Sequence, residues 1–499
     1  MAPQSPVLVV VIPLIFAFLT FAFGWWRKDL CYPIALVAVS LSFLASLHTI
    51  YTVITTGTIH YYLGNWEPPW GIEYVVDHLN AFVLVIVSFI SLVVAISSKR
   101  TVEQELPEKV VYFYCIFLLQ VTGFLGIVVT GDMFNLYVFL DIASLAGYAL
   151  IAIGEDGAPF ASFNYLIFGT IGACFYLLGV GYLYIVTGSL NMADLSQILP
   201  HLYHSKVVLV AFAFFLVGVS LKMALFPLHV WLPDAYTYAP SAVSSLLAPL
   251  MTKVGAYVMI RLMFTVFKPH FSIELIPATT ILGWMAAGAI LFGAVLALAQ
   301  IDLKRMLAYI LVSEVGYIAL GVGLANRNGL TGAILHILND SFMMLALFLV
   351  VGAIMYRSGN REIPQLRYLH RKMPFTMAVL VIAGLSVIGI PPTCGFFSKW
   401  YLILGAIDAS CWVFVVVLLV SSLLNVVLFF RVIENVYLEP GEEHAGRGSE
   451  LVIANEEAPL SLLVPILIAG AGIMLFGILS GKIISVVIQF AVPQYFVTL

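Results

Sequence analysis

Residues 218–236 read GVSLKMALFPLHVWLPDAY, and the fold turns on how that stretch is read. Lys222 stands in an apolar run that Pro227 and Pro233 then interrupt. In a bilayer both features are costly. A lysine at the centre of a membrane helix costs at least about 2.5–3.5 kcal/mol on insertion scales, and a proline leaves a carbonyl without its donor. The two become compatible if the break supplies polar backbone and hydration that the ammonium uses.

Composition places the stretch in a membrane. Of 499 residues, 62% are hydrophobic and 10% charged, whereas about a quarter of a soluble chain is charged. Apolar blocks of about 20 residues or more recur, the length a helix needs to cross a bilayer. Fourteen spans are expected, near 6–26, 31–54, 75–97, 109–129, 132–153, 158–187, 206–226, 240–267, 276–300, 305–325, 329–356, 374–397, 410–433 and 459–481. The expected fold is an all-α polytopic membrane protein. The opening run VLVVVIPLIFAFLTFAFGWWRKD has neither a basic n-region nor a small-residue cleavage site, so it reads as a retained first span. The tail IISVVIQFAVPQYF is short and amphipathic, and is expected to lie along the interface.

Loop charges set an orientation. Odd-numbered loops hold 14 of the 22 basic residues, including Arg27, Lys28, Lys99, Arg100, Lys304, Arg305 and the group Arg357, Arg361, Arg367, Arg371 and Lys372. The positive-inside rule then puts those loops in the cytoplasm and both termini outside a prokaryotic cell membrane. The acidic loop at 434–459 falls on the cytoplasmic side, as a solvated connector or a docking point for a soluble partner. No basic patch interleaved with aromatics points to nucleic acid. The five cysteines form no C-x-x-C pair, which argues against zinc and iron–sulfur ligation. No strand–Gly-rich loop–helix pattern points to a nucleotide, so no cofactor is expected.

The opening stretch has an internal echo. GIPPTCGFFSKW, residues 389–400, again sets prolines beside a lysine, Lys399. The two breaks fall in spans seven and twelve, five apart, so they cross in opposite directions. Broken helices at matching places in oppositely directed units point to inverted repeats around a mid-membrane ion site. The repeats would be spans 4–8 and 9–13. The chain then divides into 1–108, 109–267, 268–433 and 434–499.

Buried charge marks the candidate path. Asp141, Lys222, Lys253, His336, Asp340 and Lys399 fall well inside apolar runs, while His229, Glu314, Asp77 and Arg261 lie nearer the ends. Each intramembrane ionisable residue is a functional candidate by default. Asp141 and Lys222 are expected to face each other as a titrating pair. Lys253 suits proton exchange, because the proton affinity of lysine responds strongly to burial. His336 and Asp340 are four residues apart and share a helix face; two ligands fall short of a metal site. Arg261 is expected to snorkel outward. Glu314 fits either a relay member or a loop-facing charge, and His229 is an accessory candidate beside the first break.

These motifs carry a resemblance. KMALFPLHVWLPDAY, LLAPLMTKVGAYVMIRL, DLKRMLAYILVSEVGYI and GIPPTCGFFSKW, in that order, resemble the antiporter-like subunits of respiratory complex I and of Mrp-type cation/proton antiporters, with relatives in membrane-bound hydrogenases and sulfane reductase. The resemblance covers about residues 75–435. It implies a proton path through Asp141, Lys222, Lys253, His336 and Lys399, and no redox centre in this chain. It also implies partner membrane subunits, including further antiporter-like ones, and a drive from either a soluble redox arm or a cation gradient. Protons are the implied cargo, with sodium the second candidate ion. Length and span count fit the Mrp D-type subunit. Departures are Asp141 where the family usually has glutamate, Asp340 where a second histidine is common, Met344 where lysine is frequent and Glu314 where glutamine is. The expected function is a proton-translocating subunit of a multisubunit complex; the alternatives are a stand-alone antiporter and a structural subunit with impaired pumping.

Overall fold

The structure, a computed structural model, describes residues 4–367, 369–437 and 457–496. Most of the acidic loop expected at 434–459 lies outside the described residues. What is described is overwhelmingly helical, as the apolar blocks require. The first six long helices are α1 Ser5–Gly24, α2 Cys31–Thr56, α3 His78–Glu105, α4 Val110–Val129, α5 Met133–Ala152 and α6 Ala158–Thr187. The first broken element follows as α7 Lys206–Lys222 and α8 Trp231–Tyr238, then α9 Ser241–Arg261, α10 Ala278–Leu298, α11 Leu303–Leu324 and α12 Arg327–Ser358. The second break separates α13 Pro374–Ile388 from α14 Cys394–Asp408, and α15 Trp412–Tyr437 and α16 Leu460–Ile483 complete the bundle.

Helix starts follow local side-chain chemistry. Asp77, Asp132, Asn191, Asp302 and Asn326 accept backbone N–H groups at helix N-termini, satisfying donors that have no partner within the helix. Among the described residues, twelve helices are long and apolar enough to cross a membrane. The other two of the fourteen expected segments are the broken ones, whose halves are too short to qualify singly. The chain is an all-α polytopic membrane protein.

Two local expectations needed correction. The third span does not begin at residue 75: Glu73–Val76 is a strand pairing antiparallel with Ile59–Tyr62, and the helix starts at His78. Residues 63–72, with Gly64, Pro68, Pro69 and Gly71, break the chain there, and the aromatic and β-branched residues on either side pair across the break. The tail begins no separate element either. Residues 484–488 continue the last helix as a π segment, followed by Gln489–Ala491.

Contacts between loops define two ends of the bundle. At one end, Ser241 N donates to Glu105 at 2.8 Å, Arg305 meets Asp234 at 3.1 Å and Arg361 meets Asp302 at 2.5 Å. At the other, Asn191 donates to Glu73 at 2.9 Å, Arg261 meets Asp77 at 2.5 Å and Tyr495 donates to Glu274 at 2.9 Å. A clasp of two backbone hydrogen bonds recurs once at each end. Met133 N donates to Leu190 O and Met192 N to Gly131 O, both at 2.8 Å, at the hairpin end. Leu303 N donates to Arg361 O and Ile363 N to Ile301 O, both at 2.9 Å, at the opposite end. Each clasp ties the start of one helix to the segment after the next, with an aspartate N-cap in the middle.

Candidate ion path

Lys222 is the last residue of α7, where the chain leaves the helix at Met223 and Ala224 (φ +54°). A helix C-terminus carries unpaired carbonyls and partial negative charge, a favourable place for an ammonium. The break is held by Leu225 N to Ser220 O at 3.0 Å and by the Trp231 indole N–H to Leu221 O at 3.2 Å. Lys222 Nζ donates to Ser144 Oγ of α5 at 2.6 Å. The expected Asp141–Lys222 ion pair does not form among the described contacts. Asp141 lies half-buried about one turn earlier on α5, and the hydroxyl of Ser144 takes the ammonium. A cavity of about 30 Å3 lined by Ser144, Lys222, Met251 and Val254 opens between Lys222 and α9, room for a water molecule or two. His229, also in the break, is buried, and its Nδ1 has no hydrogen-bond partner among the described residues.

The middle of the bundle is built on α12, whose central residues are all buried. His336 and Asp340 share its face, as their spacing requires, but turn to different helices. Asp340 Oδ2 lies 2.5 Å from Lys253 Nζ of α9, with both side chains almost fully buried. Lys253 Nζ also donates to Ala248 O at 3.0 Å. His336 Nε2 lies 3.0 Å from Glu314 Oε2 of α11, both completely buried. Each carboxylate keeps acceptor capacity to spare, since Asp340 Oδ1 and Glu314 Oε1 have no hydrogen-bond partner among the described residues. Glu314 is thus an interior member of the cluster and faces no loop.

From His336 the polar line reaches the second break. His336 Nδ1 and Ser398 Oγ are 2.9 Å apart, and Asn339 Nδ2 donates to Ser398 Oγ at 3.0 Å and to Cys394 O at 2.7 Å. Lys399, the next residue on α14, donates to Val387 O at 2.5 Å and places its ammonium 4.4 Å from the centre of the Tyr317 ring. Val387 is in the last turn of α13, where the break leaves its carbonyl without a helical N–H. The Tyr317 hydroxyl donates to Ser421 Oγ of α15 at 2.8 Å.

Ser144, Tyr317, Asn339 and Ser398 were not among the expected residues. Neutral polar side chains cost little inside a bundle, so nothing in the sequence sets them apart from packing residues. Arg261 also departs from expectation. It turns inward to Asp77 and Asn80, and its Nε donates to the Tyr257 hydroxyl at 3.3 Å. A carboxylate just ahead of α3 offers the guanidinium a bidentate-capable partner that snorkelling would forgo. Among the described residues no group of three His, Cys, Asp or Glu side chains is arranged to hold a metal ion.

Known proteins match this architecture along its whole length. The chain is 46% identical over 503 residues to NADH-quinone oxidoreductase subunit N of Desulforudis audaxviator, covering 99% of each. It is 33% identical over 392 residues to the D-type subunit of the Na(+)/H(+) antiporter of Alkalihalophilus pseudofirmus, covering 78% of each. A chain of the archaeal membrane-bound sulfane sulfur reductase superposes with a TM-score of 0.89 at 29% identity, over 98% of this chain and 97% of that one. A chain of the Mrp complex from Dietzia sp. superposes with a TM-score of 0.85 at 25% identity, over 97% and 96%. Residues 130–425, spanning both breaks and every member of the buried cluster, match the family described as NADH:quinone oxidoreductase/Mrp antiporter, transmembrane, and the chain belongs to that family.

Proposed function

We propose that this chain is a proton-translocating membrane subunit of a multisubunit ion-pumping complex. One observation carries the reading: ionisable side chains from four elements gather in the interior, paired as Lys253–Asp340 at 2.5 Å and Glu314–His336 at 3.0 Å, with Lys399 next in sequence to Ser398, whose hydroxyl lies 2.9 Å from His336. Desolvating that many charges is poor stabilisation, because the penalty can exceed the Coulombic gain. Transport gives them a use.

In this reading Lys222 receives a proton beside the first break, and Asp141 and Ser144 set how firmly the ammonium is held. A water in the adjoining cavity passes the charge to Lys253 and Asp340. The Glu314–His336 pair and Ser398 hand it on to Lys399 at the second break, and His229 is an accessory at the first. Each broken helix crosses once, making fourteen crossings. Residues 109–267 and 268–433 are inverted repeats, supported by the two clasps at opposite ends. The basic end faces the cytoplasm of a prokaryotic cell, and both termini lie outside. Relatives named as subunits support membrane partners, among them further antiporter-like chains. The drive comes from a redox arm or a cation gradient, with sodium the second ion to test. This chain contributes no redox centre of its own.

Lys222→Ala in the assembled complex should reduce proton pumping at least tenfold while leaving assembly intact; pumping at the parental stoichiometry would remove Lys222 from the path. Purified chain alone should exchange no ions in liposomes, and exchange by it would favour a stand-alone antiporter. A second reading, impaired pumping, is favoured by the direct Lys253–Asp340 contact, in which a carboxylate pins the central lysine. Asp340→His would then raise pumping, whereas in the first reading it lowers or preserves it.

A further inference from the structure

At the basic end, a cavity of about 610 Å3 opens between the N-terminal part of α2, the last two turns of α3 and the start of α4. Its lining includes Lys28, Asp29, Tyr32, Lys99, Glu103 and Tyr114. Trp25 and Trp26, just ahead in sequence, are 74% and 81% exposed, which marks the level of the lipid headgroups. Among the described residues none of these four charged side chains joins an ion pair, although Lys99 and Glu103 are spaced i, i+4. Two cations and two carboxylates therefore face one cavity without neutralising one another.

We propose that this cavity binds the zwitterionic headgroup of a phospholipid, specifically a phosphoethanolamine. Lysine suits phosphate as a compact cation, so Lys28 and Lys99 take the phosphate. The primary ammonium donates up to three hydrogen bonds, which Asp29 and Glu103 accept. Positions four apart on a helix are about 5–6 Å apart at their Cβ atoms, comparable to the spacing of phosphorus and nitrogen across an ethanolamine headgroup. An anionic headgroup would leave the two carboxylates facing its charge. A choline would need an open aromatic face for its quaternary nitrogen, and here the Tyr32 ring is already covered by Lys99 Nζ at 5.4 Å and packed edge-on against Tyr114 at 6.0 Å. The acyl chains run down the outer surface of α1 and α2, where Phe18, Phe21, Leu41 and Leu44 are exposed.

The test uses the full chain, delipidated and reconstituted in nanodiscs holding equal parts of dioleoyl phosphatidylethanolamine, phosphatidylglycerol and phosphatidylcholine. Lipid retained on the protein is then read by native mass spectrometry. Phosphatidylethanolamine should be enriched over both others. Lys28→Gln/Lys99→Gln should cut that enrichment roughly tenfold, and Asp29→Asn/Glu103→Gln should shift retention toward phosphatidylglycerol. Lys206→Gln, an exposed lysine at the opposite end, should change nothing. Displacement by soluble O-phosphoethanolamine at equal concentration would assign the site to the free headgroup and overturn the lipid as its occupant. Equal retention of the three lipids, or the same loss in Lys206→Gln, would overturn the site itself. All four positions are exposed, so the variants should fold, and an unchanged thermal midpoint checks that they do.

Discussion

Lys253 and Asp340 show what a buried charge pair asks of its surroundings. With 2% and 0% of their side chains exposed, neither can fall back on water if the other is lost. Removing one partner of such a pair typically costs about 3–5 kcal/mol, whereas replacing both by apolar groups of similar volume is often neutral. Asp340→Ala should therefore lower stability by about that much, while Lys253→Met/Asp340→Leu should restore the thermal midpoint and leave pumping abolished. A double variant that still pumps would take the pair out of the path. Asp77, just before α3, gives a pH signature outside the membrane. Burial alone would raise its carboxyl, but the Arg261 guanidinium and the N–H groups of Leu79 and Asn80 hold it below the ordinary carboxylate range. Its stabilisation is therefore complete above the unfolded value near about 4, and is lost as pH falls through the lower folded value. Asp77→Asn should cost roughly 3 kcal/mol at pH 7, because Arg261 is left unpaired, and should flatten the acid limb of a melting-versus-pH curve. At this scale the sequence exposes which residues are costly, since Lys222, Lys253, Asp340 and Lys399 each interrupt apolar runs. It does not expose their partners. Lys222 finds Ser144 instead of Asp141, and His336 finds Glu314, because pairing is decided by how separate helices rotate against each other.

At the scale of elements, the breaks are where the helices admit polar backbone, and their neighbours are shaped to fit. Gly389 ends α13 at φ +95°, and a Cβ there would lie 3.3 Å from Lys399 Cδ. Gly477 of α16 lies so close to the second break that an added Cβ would fall 2.0 Å from Pro392 O. The last helix is thus the wall against which the break is formed. Gly477→Leu should displace the 391–394 segment and lower pumping several-fold, while Gly481→Leu, one turn on with nothing within 4 Å of an added Cβ, should be silent. Proton flux in reconstituted complex separates the two. The breaks themselves were legible, because an unbroken membrane helix would leave both the carbonyl one turn before the proline and the lysine ammonium without partners. The 59–76 hairpin was less so, since its Val and Ile residues also extend the apolar run of the following helix. What fixes it as a hairpin is nonlocal: Glu73 joins Asn191 and His60, and Tyr74 bridges Thr130.

For the whole molecule, the two ends differ in charge and are tied by matching clasps. If the basic end is cytoplasmic, a cysteine placed at exposed Trp66 in the hairpin loop should react with an impermeant thiol reagent in intact cells. One at exposed Ser358 should react only after permeabilisation. The opposite pattern would invert the orientation. The polytopic helical architecture was readable from blocks of apolar residues, twelve of which form helices long enough to cross a membrane among the described residues. The recurrence of the clasp was not, because Gly131–Met133 with Leu190–Met192 and Ile301–Leu303 with Arg361–Ile363 share little beyond an aspartate at each N-cap.

One long helix joins these scales. Arg327–Ser358 runs unbroken for 32 residues, about 48 Å at 1.5 Å per residue, and holds both His336 and Asp340 on its buried side. A straight rod has few soft points, so sliding it by a single residue's rise would part Asp340 from Lys253 and His336 from Glu314 in the same stroke. In the proposed path the two contacts would therefore open together, on one movement of one helix.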